Sequence, residues 1–264
     1  MNMFAIIGRI VLDFFKHTWG VLSLLYDTIF WIIVGPFQKK FPKPEGISAQ
    51  MVFVGVRSVS IVFFVAIFTG IVIAMQSAYQ LKKMGAVMYV AALVGVSVAR
   101  ELGPVLTSLV VAGRVGAAIA AELGTMKVSE QIEALETIAL NPVRFLVVPR
   151  FLALIVMVPC LTALADLVGI IGGYLVGVTS LQINSGLYMN ITWKFLEVKD
   201  VMTGLFKSFV FGGIIAMVGC YQGLNTSGGA EGVGKATTVS VVTSFILVIL
   251  ADCVLTAIFY FSKM

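Results

Sequence analysis

Four ionisable side chains in this sequence stand where water should be scarce. Arg100 and Glu101 interrupt a long apolar run, and Asp166 and Asp252 each lie inside another. A charge in mid-membrane is costly, so it usually faces a cavity, a partner or a transport pathway. Neighbouring residues on a helix do not face each other, so Arg100 and Glu101 should reach different partners. The pair reads either as an ion-pair anchor to another helix or as a polar patch lining a substrate path. For Asp166 and Asp252 the reading is structural polar contacts, with a proton relay as the alternative. Catalytic chemistry finds little support. His17 is the single histidine, so no histidine-based triad or zinc site can be assembled, and no metal-ligand cluster is visible. Cys160, Cys220 and Cys253 sit singly in apolar stretches and read as small buried hydrophobes. Gly229–Ala236 imitates a phosphate-binding loop, but Ala236 stands where a magnesium-binding hydroxyl is needed. That segment is read as a flexible connection.

The elements that must position these residues are helices in lipid. The chain is 59% hydrophobic and only 12% charged, and its mean hydropathy is +1.05. Soluble domains run to about 45–50% apolar and about 25% charged. The expectation is an all-α integral membrane protein with five transmembrane helices, at about 52–79, 86–121, 145–181, 201–221 and 237–261. Residues 1–45 are expected to form an interfacial amphipathic helix and a basic, proline-rich linker, with a sixth span as the alternative because Val21–Val34 is apolar enough to enter the bilayer, and 46–264 one transmembrane domain. The run 86–121 would extend about 54 Å as a single helix. It must tilt, project or kink, and Gly103-Pro104 marks the place. Residues 182–200 are polar, with Tyr188 and Trp193 suited to an interface.

The net charge of +5 reports topology, since lysine and arginine are retained on the cytoplasmic side. With the N-terminus inside, 122–144 and 222–235 are inside and 80–85 and 182–200 outside. Lys207 then sorts with the outer lysines. Ala112, Gly116, Ala120 and Gly169, Gly173, Gly177 form ridges of small residues, which let helix backbones approach closely. Met126–Leu140 reads as one short amphipathic helix, capped by Thr125 and ended by Asn141-Pro142. Glu130, Glu133 and Glu136 make its acidic face, and Ile132, Leu135 and Ala139 its apolar stripe. Such a helix suits docking to a soluble partner, although a solvated surface helix has the same pattern.

Several ordered blocks closely resemble the MlaE (YrbE-type) ABC permeases. They are Ala99-Arg-Glu-Leu-Gly-Pro-Val105, Ala112-Gly-Arg-Val-Gly-Ala117, Ala121-Glu-Leu-Gly-Thr-Met-Lys127 and Glu130-Gln131. Asn141-Pro142, Pro149-Arg150-Phe151, Gly172-Gly173 and Lys235-Ala-Thr-Thr238 continue the match. The resemblance spans nearly the whole chain from about residue 50 and implies five spans plus an interfacial N-terminal helix. It implies a homodimeric permease of the bacterial inner membrane, N-terminus cytoplasmic, in a phospholipid transport system that maintains outer-membrane lipid asymmetry. The implied partners are a cytoplasmic ABC ATPase that uses ATP and Mg, periplasmic MCE-domain subunits and a small STAS-domain protein. The chain itself needs no cofactor and is no enzyme. The resemblance puts Arg100 and Glu101 at a lipid cavity between two copies, with Gln76 and Tyr79 as neighbours. It makes Glu122, Lys127, Glu130, Gln131, Glu133 and Leu135 the coupling segment that enters the ATPase. Residue chemistry alone leaves two alternatives: a proton-coupled secondary transporter and a non-transporting membrane scaffold.

Overall fold

The computed structural model describes residues 3–37 and 44–261, with side chains from Thr18 onward in the first stretch and only to Gly35. Among the described residues all regular structure is helical: α1 (Met3–Phe37), α2 (Pro44–Val54), α3 (Val59–Lys83), α4 (Val90–Ser97), α5 (Gly103–Val111), α6 (Ala117–Val128), α7 (Gln131–Thr137), α8 (Val148–Thr179), α9 (Ser185–Phe195), α10 (Val198–Leu224) and α11 (Gly229–Phe261). Six helical stretches are long and apolar enough to cross a membrane: Thr18–Gly35, Pro44–Lys83, Val87–Val128, Val143–Thr179, Val198–Leu224 and Gly229–Phe261. The last five coincide with the spans expected from the sequence, each reaching a few residues further at one end or both.

The Thr18–Gly35 stretch of α1 is the segment expected at the interface. Gly20 lies against the ring of Tyr221, near the end of α10. Eleven residues on, Trp31 carries the Arg144 guanidinium 5.6 Å from its ring centre, at the start of the α8 span. Both contacts lie at the same end of the bundle, the end that carries α7. The two contacts hold this stretch against that end of the bundle, and it is also long and apolar enough to cross a membrane. The amphipathic face before Thr18, with Arg9, Asp13, Lys16 and His17, and the linker lysines Lys39, Lys40 and Lys43 lie outside the described side chains.

The long second run is continuous but locally widened. Val98–Leu102 and Ala112–Gly116 adopt the π register, as does Val143–Val147 before α8. Such one-turn bulges are how a helix absorbs an extra residue, often at functional positions. The first precedes Pro104, which has no N–H to offer the preceding turn. The expected disturbance at Gly103-Pro104 is therefore real, and it takes the form of a wide turn.

Small residues bring the spans together. A Cβ at Gly70 would fall 1.9 Å from the Gly169 carbonyl oxygen, so α3 and α8 cross with their backbones touching. Gly173 and Gly177 admit the ring of Tyr188. Tyr188 is fully buried, so it is a packing residue and not the interfacial aromatic expected from the sequence; Trp193, 68% exposed, does stand at the surface. In lipid no hydrophobic force pulls helices together, and close backbone packing takes its place.

Two further expectations are corrected. Residues 126–140 are not one helix: α6 ends at Val128, Glu130 adopts a left-handed conformation (φ 58°), and α7 begins at Gln131. Thr125 does not cap it, since its hydroxyl donates to the Ala121 carbonyl within α6 (2.8 Å). Residues 222–234 are not one flexible loop either. Only about 225–228 are non-helical, and the phosphate-loop look-alike forms the first turns of α11.

Candidate functional site

Arg100 and Glu101 sit on the π turn and do reach different partners. Arg100 Nε approaches Asp200 Oδ1 at 3.6 Å. Glu101 Oε2 accepts a hydrogen bond from Lys207 Nζ at 2.5 Å. Lys207 also donates to Thr256 Oγ1 (2.7 Å), and its ammonium lies 2.9 Å from Asp252 Oδ1. The last contact is an ion pair by distance, with an angle outside hydrogen-bond range. Two cations and three carboxylates from the observed spans Val87–Val128, Val198–Leu224 and Gly229–Phe261 thus converge. Each would be costly alone in lipid; together they supply each other's counter-charge.

Local sequence explains why Lys207 reaches this place. Pro104 cannot bond the carbonyls one turn back, which frees those of Ala99 and Arg100. Lys207 Nζ donates to the Arg100 carbonyl at 3.3 Å. The Ala99 carbonyl rests on Gly204, where a Cβ would come within 2.1 Å of it. Gly204 and Lys207 are three apart and share one face of α10. The glycine permits the close approach that lets the lysine arrive.

The topology count placed Lys207 outside the membrane, and this is the main residue the sequence reading missed. The residue lies nine positions into α10, about 14 Å from its start, with its side chain 2% exposed. A lysine that deep in an apolar span, with Glu101 and Asp252 in the neighbouring spans, was the available signal. Asp252 makes the structural contact expected of it. Asp166 does not: both its carboxylate oxygens are buried without a hydrogen-bond partner among the described residues, and Oδ1 packs against Gly103.

Gln76 and Tyr79 line a groove of about 590 Å³ with Met75 and Leu93 near the far end of α3. Arg100 and Glu101 are not among its lining residues, so the structure does not gather the four predicted lipid contacts into one pocket of a single chain. Arg100 keeps 35% of its side chain exposed, and its terminal nitrogens make no hydrogen bond among the described residues.

At the α7 end the predicted coupling residues separate into two groups. Ile132 is buried, and Leu135 packs partly against the core, so the apolar stripe faces the chain itself. Lys127 Nζ binds Glu133 Oε1, tying α6 to α7. That contact holds the Glu133 carboxyl below its ordinary value. Glu122 pairs with Arg150 Nη2 at 2.9 Å. Glu130 and Gln131 remain exposed, as does Glu136. Ile138, 65% exposed just past α7, adds an apolar side chain at that end.

Long apolar helices around a buried charge network, with a short acidic helix exposed at one end, have the form of a multi-pass membrane protein. The chain matches the family described as permease MlaE over residues 47–258. It is 40% identical over 261 residues to a probable ABC transporter permease protein of Rickettsia typhi, covering 98% of each chain. It is 33% identical over 267 residues to the intermembrane phospholipid transport system permease protein MlaE of Haemophilus influenzae, again covering 98% of each. It is 35% identical over 206 residues to the chloroplastic protein trigalactosyldiacylglycerol 1 of Arabidopsis thaliana, covering 78% of this chain and 59% of that one. The chain belongs to the MlaE permease family, and so to the ABC transporter permeases. Such a subunit has no catalytic site of its own, and ATP hydrolysis resides in a separate subunit. That decides against the free-standing proton-driven alternative.

Proposed function

We propose that this chain is the membrane permease of a phospholipid transporter in the bacterial inner membrane, working as a homodimer. The observation that carries this reading is Arg100. Its guanidinium is about a third exposed near the start of α10, engages Asp200 only through Nε, and stands beside the Lys207–Glu101–Asp252 network. A planar guanidinium with free terminal N–H groups is suited to the phosphate of a lipid headgroup. The apolar face of α11, with Ile246, Ile249, Leu250 and Val254 exposed, is where a second copy would close a cavity for the acyl chains. Gln76 and Tyr79 would meet the lipid nearer the outer side.

The α7 end would dock on a cytoplasmic ATPase, which supplies ATP and Mg chemistry. Glu130, Gln131, Glu136 and Ile138 offer the exposed contacts, and Lys127 and Glu133 fix the helix; the N-terminus would lie on that side. Movement of α7 on ATP binding and hydrolysis would open or collapse the cavity. Periplasmic MCE-domain subunits would exchange lipid with it, and a small STAS-domain protein would bind the ATPase. The physiological outcome would be outer-membrane lipid asymmetry. The closing test is photo-crosslinking from positions 100 and 101 in the assembled transporter. Phospholipid adducts there support the reading, and adducts confined to other positions overturn it.

A further inference from the structure

Arg150 is an unusual residue to find at the edge of a membrane span. It is the third residue of α8, directly after Pro149, and only 4% exposed. Its guanidinium makes two contacts from that buried position. Nη2 meets Glu122 Oε2 of α6 at 2.9 Å, and Nη1 donates to the Leu146 carbonyl at 2.7 Å. Nε has no partner among the described residues. A buried cation whose only acid is a single carboxylate depends strongly on that acid, because removing it leaves an uncompensated charge.

The placement of the acid gives the pair its meaning. Glu122 lies on the last turns of α6, five residues before Lys127, which binds Glu133 of α7. Two ion pairs therefore run in series, α7 to α6 through Glu133–Lys127, then α6 to α8 through Glu122–Arg150. The first is exposed on both sides and readily screened. The second is anchored in the core and is held by α8, which packs along α3 and α10. Gly212 of α10 seats directly on the Leu154 carbonyl, one turn beyond Arg150. The same α10 carries Asp200 and Lys207. A displacement of α7 thus reaches α6 through the short connection at 129–130 and the Glu133–Lys127 pair, and passes from α6 to α8, and so toward α10, through the buried Glu122–Arg150 pair.

We infer that Arg150, through Glu122, is a positioning residue that couples movement of the α7 end to the spans. Glu122 then acts within the chain and not on the ATPase surface. This rests on the reading that α7 docks on an ATPase.

The test uses the whole transporter reconstituted with its ATPase, reading ATP hydrolysis and transfer of a fluorescent glycerophospholipid between vesicles. Arg150→Gln should leave the complex assembled and hydrolysing while lipid transferred per ATP falls about tenfold, within the usual range of coupling between sites. Arg150→Lys should recover part of the ratio, and the exchange Glu122→Arg with Arg150→Glu should recover most of it. If Arg150→Gln prevents folding, the double change Glu122→Gln with Arg150→Gln, which leaves no buried charge unpaired, must show the same fall. An unchanged ratio, or transfer and hydrolysis lost in proportion without recovery in the exchange, overturns the inference. Ile138→Asp reports on docking separately. If it leaves ATPase binding and hydrolysis intact, the docking reading fails, whatever Arg150→Gln does.

Discussion

Lys207 and Glu101, 106 positions apart, meet at 2.5 Å inside the membrane domain, and the lysine is 2% exposed at its side chain. The contact joins the span widened before Pro104 to α10, and Asp252 and Thr256 join α11 to the same ammonium. Three spans are thereby tied at one point. The tie can exist only because Gly204 lets α10 sit on the freed carbonyl of Ala99.

Lys207→Met should therefore destabilise the domain strongly, by about 3–5 kcal/mol, because Glu101 and Asp252 lose their shared counter-ion. Adding Glu101→Gln should recover part of the loss. Thermal unfolding of the detergent-purified protein reads both. Equal stability of Lys207→Met and the unmodified chain would show that the network is not a structural tie.

Gly70→Ala should push α3 away from α8. The added carbon would fall 1.9 Å from the backbone oxygen of Gly169, which has no side chain to swing aside. Overpacking of this kind costs about 1–3 kcal/mol. Gly46→Ala is the control, because nothing lies within 4 Å of its Cβ position. Midpoints of thermal unfolding should separate the two variants clearly.

Tyr188 anchors α9 on Gly173 and Gly177, and burial pushes its phenol up to about 12 from 10.0. Its hydroxyl is buried without a hydrogen-bond partner among the described residues. Two outcomes follow. A group raised on folding contributes stability that is complete below its unfolded value, so stability should decline as pH rises from about 10 to about 12. Tyr188→Phe should remove that decline at little or no cost at neutral pH, since no hydrogen bond is lost. Alkaline unfolding followed by circular dichroism distinguishes the variants, and identical alkaline profiles would refute the assignment.

Glu133 has the opposite sign. Its hydrogen bond to Lys127 lowers its ordinary value of 4.5. Whatever the contact adds to the α6–α7 joint is complete above that value and lost as pH falls through the lowered one. Amide protection across Gln131–Thr137, taken relative to the intrinsic exchange rate at each pH, should fall in acid below about 4.5. In Glu133→Gln that acid-dependent step should disappear. A step that persists in the variant would assign it to another carboxylate.

The sequence by itself determined that this chain lives in lipid, where five of its long apolar helices lie, and that Arg100 and Glu101 face different partners. Each conclusion rests on quantities local to the chain: apolar length against membrane thickness, charge placement, and the turn period of a helix. The permease family was legible too, because the blocks around Arg100, Arg114 and Glu122 are contiguous. The tertiary structure decided what those charges touch. A topology count reads Lys207 as an outer flank, since it sees only distance from a loop and not what lies opposite in the bundle. Tyr188 reads as interfacial for the same reason. The turn at Glu130 leaves no trace in the sequence because a left-handed glutamate carries no compositional mark. In a soluble protein the apolar stripe of each helix would have pointed to the core. Here both lipid and core accept apolar residues, so only the packed structure, through glycine contacts and paired charges, shows which face of each helix is inside.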